Sequence, residues 1–153
     1  MRLLFGCSDL IAAWVRARIP FMDPEGFGPC QAIGVVDSAG RIVGGVVFHG
    51  WNNHYRSIEM SSAADSAKWL SRRVIAGILS YPFEQLGVER LSSITRPEDK
   101  RTRHALEAIG MTYEGSGRKV FGEYDGAVYC LLKDEWRAGR FCLSQPERKA
   151  NHG

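Results

Sequence analysis

Glu59 is the residue of this chain best placed to take a proton. It lies in the stretch Ile58-Glu59-Met60, where strand alternation sets its side chain on the face opposite its apolar neighbours. A carboxylate in a half-buried cleft has a raised pKa and can act as a general base, often through a water. A surface or ion-paired glutamate is the other reading, and the sequence leaves both open. His49 ends an apolar strand and, with His54, flanks Trp51-Asn52-Asn53. It could orient a substrate or accept a proton, and an isolated histidine can equally be structural. Tyr129, inside the apolar run Ala127 to Leu132, carries a hydroxyl that could give up a proton or simply hold one core hydrogen bond. Tyr124, just before the turn Asp125-Gly126, is a weaker proton donor. Ser61 and Ser62 follow closely on Glu59, but there is no nucleophile elbow and no nearby His–Asp pair in the sequence. A covalent serine route is therefore not expected. The histidines show no ligand spacing, and no metal site is expected.

The elements that must hold these groups fit one domain. A chain of 153 residues, 44% hydrophobic and 24% charged, can build a single core of sheet and helices. The expected domain covers residues 1–142, and residues 143–153 read as a polar tail. A formal charge of +3 permits an anionic partner, nucleic acid included, without demanding one. No window approaches the roughly 20 apolar residues of a membrane span. Cys7, Cys30, Cys130 and Cys142 form no C-x-x-C pair, which suits a reduced, cytoplasmic protein, and Cys130 reads as a small core residue.

Met1 to Gly6 can form a first strand, and Ser8 can cap a helix from Asp9 to Ile19 that Pro20 stops. The turn-rich segment Asp23 to Pro29 reads as a loop of the kind that frames a substrate mouth. Gln31 to Val36 and Arg41 to His49 make a hairpin about Asp37-Ser38-Ala39-Gly40, and Arg56 to Ser62 is a third strand. Trp69 to Leu86 is the best helix, kinked or shortened by Pro82 and closed by Gly87. A strand from Arg90 to Arg96, a helix opening at Asp99 and stopped by Gly110, and the strand Ala127 to Leu132 complete a mixed α/β sheet.

The order Pro97-Glu98-Asp99-Lys100-Arg101-Thr102, Ile109-Gly110-Met111, Tyr113-Glu114-Gly115 and Tyr129-Cys130-Leu131-Leu132 resembles the C-terminal half of the GNAT superfamily of N-acetyltransferases. The nearest branch acts on protein N-termini and small amines. This resemblance implies a mixed sheet split at a cofactor cleft and flanked by helices. It implies acetyl-coenzyme A as acyl donor, direct transfer to a primary amine, and a small-molecule or peptide acceptor. The split would fall between a strand ending near Ser62 and one starting near Leu91, and exposed strand edges in this fold often support homodimers. Glu59 would then be the base, Tyr129 would face the cleft and protonate the leaving sulfur, and His49 would assist. The pyrophosphate-binding loop normally carries two glycines, and both are absent from Ser66-Ala67-Lys68-Trp69.

Backbone amides from Ala67 to Leu70, with Lys68, Arg72 or Arg73, could still hold the phosphates at a helix start. Ser61, Ser62 and Ser66 would crowd close to the ligand. The opposing reading leaves the cations as ordinary solvated helix charges. Asp99 stands where relatives place an asparagine that contacts the cofactor, or it is simply a helix cap. Leu106 stands where many relatives carry the acidic tyrosine. The cluster Arg96, Lys100, Arg101, Arg103 and His104 could reach a cofactor phosphate or remain a solvated face. The segment His49-Gly50-Trp51-Asn52, with Glu59 and Trp69-Leu70, also resembles phage GNAT-like proteins, including the phage Mom protein that modifies DNA adenine. A DNA-modifying enzyme and a degenerate binding module are thus the alternative functions.

Overall fold

The computed structural model describes residues 1–20 and 22–143, so the expected tail from residue 144 onward lies outside the described residues. The chain runs β1 (Arg2–Leu4), α1 (Ser8–Arg16), β2 (Cys30–Val36), β3 (Ile42–Asn52), β4 (Ser57–Ala64), a 3-10 turn (Ala67–Trp69) and α2 (Arg72–Ser80). A π-helical turn (Tyr81–Gln85) leads to β5 (Arg90–Thr95), α3 (Lys100–Ala108), β6 (Thr112–Phe121), β7 (Tyr124–Leu132) and α4 (Lys133–Ala138). The seven strands form one mixed sheet in the order β1-β2-β3-β4-β5-β7-β6. Every neighbouring pair is antiparallel except β4 and β5. No helix among the described residues is long and apolar enough to cross a membrane.

Two apolar layers cover the sheet. Ile11 and Val15 of α1 pack on Ala32 and Val47 on one face. That helix lies close because Gly34 and Gly45, paired across β2 and β3, leave a floor without side chains. A Cβ on Gly34 would stand 2.5 Å from Ile11 Cδ1, and one on Gly45 would stand 2.8 Å from Val15 Cγ2. On the other face, Val74, Ile75, Ile78 and Leu79 of α2 join Leu106 and Ile109 over Val46, Phe48, Met60 and Leu91.

Several boundaries differ from the sequence reading. Ser8 is not a cap. It is the first residue of α1, and its hydroxyl donates to Gln31 Oε1 at 3.1 Å and accepts from the Ala32 amide at 3.0 Å. The long helix begins at Arg72 rather than Trp69, with the Ser71 hydroxyl accepting from the Val74 amide at 3.2 Å. Trp69 has a core partner instead, its ring lying on Gly44 of β3. Pro82 shortens the helix, as expected: α2 stops at Ser80. With no N–H to give, the proline sits at the start of the π turn, where the Leu86 amide reaches back to the Tyr81 carbonyl. Strand β6 and helix α4 were not expected. Cys130 is buried, as its apolar neighbours imply.

Candidate active site

The parallel ladder between β4 and β5 is short. Ser57 pairs with Arg90, Ile58 with Leu91 and Glu59 with Ser92, and there it stops. Both strands continue. Residues Met60 to Ala64 stay paired to β3, while Ser93 to Thr95 stay paired to β7. The sheet therefore opens from Glu59 onward, with one strand edge on each side of the gap.

Side-chain alternation gives that opening two different walls. Directly paired residues share a face, so His49 and Glu59 stand together, and Ser61, two residues on, joins them on the α1 face. The Ser61 hydroxyl is 2.8 Å from His49 Nε2, and Glu59 Oε2 is 3.6 Å from His49 Nδ1. The His49 side chain is only 17% exposed and that of Glu59 is 49%. Burial pushes the His49 imidazole below its ordinary range, and the Glu59 carboxylate opposes that in part. The imidazole is thus neutral near pH 7 and able to accept a proton. Phe27, from the loop before β2, lies over it with ring centroids 5.2 Å apart. The turn-rich loop thus reaches the His49 side of the sheet.

Met60 and Ser62 point the other way. With Trp69, Leu70, Ile75 and Ala105 they line an apolar cleft between α2 and α3. Ser61 and Ser62, grouped together in the sequence reading, therefore face opposite sides of the sheet. At the mouth of the cleft the loop is braced. Asp65 pairs with Arg18 at 2.8 Å, and the Ser66 hydroxyl accepts from the Lys68 amide at 3.1 Å. Lys68 is exposed. Arg72, at the first position of α2, donates from Nε to the Arg140 carbonyl at 3.0 Å, which ties the helix start to the segment after α4.

Three expected site residues have other partners. Tyr129 is fully buried beneath α3, where its hydroxyl donates to Glu107 Oε1 at 3.1 Å and accepts from Arg103 Nε at 3.0 Å. Its hydroxyl is turned to that network and not to the cleft. Asp99 caps α3, its two oxygens accepting from the Thr102 amide at 3.1 Å and the Thr102 hydroxyl at 2.8 Å. Arg103, of the basic cluster read either as phosphate-binding or as a solvated face, is instead held within the protein, since Nη1 also donates to the Pro97 carbonyl at 2.9 Å. What sequence reasoning missed is the grouping of His49, Glu59 and Ser61, because the partner of Ser61 lies twelve residues away and meets it only across the hairpin.

Neither a protein-family model nor a curated protein matches this sequence. Solved structures do. A spermidine N-acetyltransferase (SpeG) chimera from Vibrio cholerae and hSSAT superposes with a TM-score of 0.64 at 22% identity, over 73% of this chain and 74% of that one. The ribosomal-protein-S5-alanine acetyltransferase from Vibrio fischeri gives 0.62 at 20% identity, over 70% of this chain and 63% of that one. A probable acetyltransferase gives 0.59 at 23% identity, over 70% and 63%. None of these three names a phage protein or a DNA-modifying enzyme, so the likeness to the phage Mom branch gains no support from them. Identities this low speak for architecture, and the chain has the split-sheet α/β fold of the GNAT N-acetyltransferases.

Proposed function

We propose that this chain is an acetyl-coenzyme A-dependent N-acyltransferase that delivers an acetyl group to a primary amine by direct attack. The observation that carries the reading is the opening after Glu59 and Ser92, with an apolar cleft on one face and proton-handling groups on the other. The residues present suit the cofactor. The apolar cleft beside Met60, Ser62 and Ala105 has a lining suited to a slender pantetheine arm, but α2 and α3 would have to part to make room for one. The start of α2, with Lys68 and Arg73 beside it, offers backbone amides and positive charge to a pyrophosphate. Arg72 would have to release the Arg140 carbonyl to help.

Bound acetyl-coenzyme A supplies an activated acyl group with a thiolate leaving group. The chain's residues do the rest. Strand-edge amides in the gap are positioned to hydrogen-bond the carbonyl oxygen as it gains charge. His49 and Glu59 form the pair that accepts the amine's proton. A neutral imidazole takes it, and the carboxylate beside Nδ1 stabilises the resulting cation. The buried network around the Tyr129 hydroxyl makes it a poor source of a proton for the thiolate, so the proton shed by the attacking nitrogen is the better one.

The amine is a small polyamine or an amine of a peptide, since the similar structures are named for spermidine and for an alanine of ribosomal protein S5. Calorimetric titration with acetyl-coenzyme A, followed by thiol release with spermidine and with an N-terminal peptide, tests the proposal. Absence of binding at millimolar cofactor would favour a degenerate binding module. A mass change on adenine in DNA from expressing cells would favour the base-modifying alternative.

A further inference from the structure

His49, Glu59 and Ser61 stand in an order that the transferase reading alone does not require. The Glu59 carboxylate, 3.6 Å from Nδ1 and so beyond hydrogen-bond reach, favours by its charge the tautomer carrying its proton there. Nε2 then carries the lone pair, and its neighbour is the Ser61 hydroxyl at 2.8 Å. In that tautomer the hydroxyl donates to Nε2, which leaves its own oxygen free to accept one more hydrogen bond. Position along β4 separates the two candidate groups. Glu59 is the last residue paired to β5, at the closed end of the gap, whereas Ser61 lies two residues inside it. Ser61 therefore stands nearer to an amine in the opening.

Resting on the transferase reading, we infer that Ser61 is a catalytic residue that relays the amine's proton to His49, with Glu59 a positioning residue. The ammonium donates to Ser61 Oγ while the Ser61 proton moves to His49 Nε2, so the hydroxyl is restored and the imidazolium faces Glu59. The freed nitrogen lone pair forms the C–N bond and the C–S bond breaks. Of the three ammonium protons, one reaches solvent through His49, one goes to the thiolate, and one stays on the amide. The groups facing His49 are Glu59 and Ser61 from β4, Cys30 from β2 and Phe27 from the preceding loop, with Asp9 of α1 acting on Cys30.

The test compares Ser61→Ala, His49→Gln and Glu59→Gln over pH with acetyl-coenzyme A and an amine, and follows the His49 imidazole by nitrogen NMR without turnover. Ser61→Ala and His49→Gln should each lower kcat by about 10²-fold or more, with cofactor affinity unchanged and with Ser61→Thr restoring part of the loss. Glu59→Gln should lower kcat less than either of these and move the acid limb of the rate profile to lower pH, because the carboxylate raises the His49 pKa. NMR should show the Nδ1–H tautomer. Wild-type kcat in Ser61→Ala, loss of turnover in Glu59→Gln as complete as in His49→Gln, or an Nε2–H tautomer would each overturn the relay. Acetylation at the wild-type rate in Ser61→Ala removes the relay and leaves the transferase standing. Wild-type protein that acetylates no amine removes the transferase, and the tautomer then decides the relay's geometry by itself.

Discussion

Substituting Gly44 by alanine should loosen the loop that borders the apolar cleft. The Trp69 ring lies on this glycine so closely that a Cβ would sit 3.0 Å from Cδ2, 3.1 Å from Cε3 and 3.3 Å from Cγ. Three ring atoms at that range must move together, because a rigid indole cannot flex one atom away. Overpacking of this kind costs about 1–3 kcal/mol. Replacing a strand glycine returns about 0.5–1 kcal/mol of backbone entropy. A net loss of up to about 2.5 kcal/mol follows, or a fall in Tm of up to about 10 °C for a chain of this size. Urea unfolding should show a lower midpoint at constant slope.

A second background makes the argument specific. In Trp69→Ala protein the new methyl has room, so adding Gly44→Ala there should be neutral or slightly stabilising. Affinity for acetyl-coenzyme A should drop in Gly44→Ala, since Trp69 holds the segment between Asp65 and Ser71 against β3. Equal costs in both backgrounds, or a stabilised single variant, would refute the ring-on-glycine account.

Other expectations concern single groups. His49 has its pKa lowered by burial, so the unfolded chain binds more protons than the folded one as pH falls below about 6.5. The stability lost between about pH 7.5 and 5 should shrink in His49→Gln, and an unchanged Tm profile would contradict the burial argument. Tyr129→Phe should cost about 1 kcal/mol through the bonds to Glu107 and Arg103 while leaving kcat within about twofold. A loss of about 10²-fold at full stability would restore this tyrosine as the acid. Ser62→Leu should fill the apolar cleft and weaken cofactor binding with little effect on an unliganded fold, and intact binding would move the cleft elsewhere. Arg90 holds both Glu114 oxygens, at 2.6 and 3.0 Å, and lowers that carboxyl's pKa. Both side chains are about 40% exposed, so Glu114→Gln should cost at most about 1 kcal/mol at pH 7. That difference should vanish as pH falls through the lowered pKa, and a difference that persists in acid would rule out the ion pair as its source.

The legible parts of this fold are those whose signals are local. Asp99 followed by Thr102 announces a cap, and the cap is there. The Asp37 to Gly40 turn and the apolar run through Cys130 were equally plain. Trp69 misled because an apolar residue at helical spacing also describes a core side chain on a 3-10 turn. Strand β6 escaped because it is an edge strand, solvated along most of its length, and so lacks the alternation that marks a half-buried strand. The grouping of His49 with Glu59 and Ser61 depends on strand register, which the turn between Asn52 and Ser57 fixes. Uninterrupted pairing back from Asn52 and Ser57 would set position 49 opposite 60, and the one-residue bulge between His49 and Asn52, which the sequence does not announce, brings Glu59 there instead.

Amide hydrogen exchange with and without acetyl-coenzyme A tests the opening itself. Amides of residues 60–64 and 93–95 that face the gap should exchange readily in the free protein and become protected on binding, together with those at the start of α2. Strong protection across β4 and β5 without ligand, or ligand protection confined to other strands, would mean that the sheet is closed where the proposed chemistry needs it open.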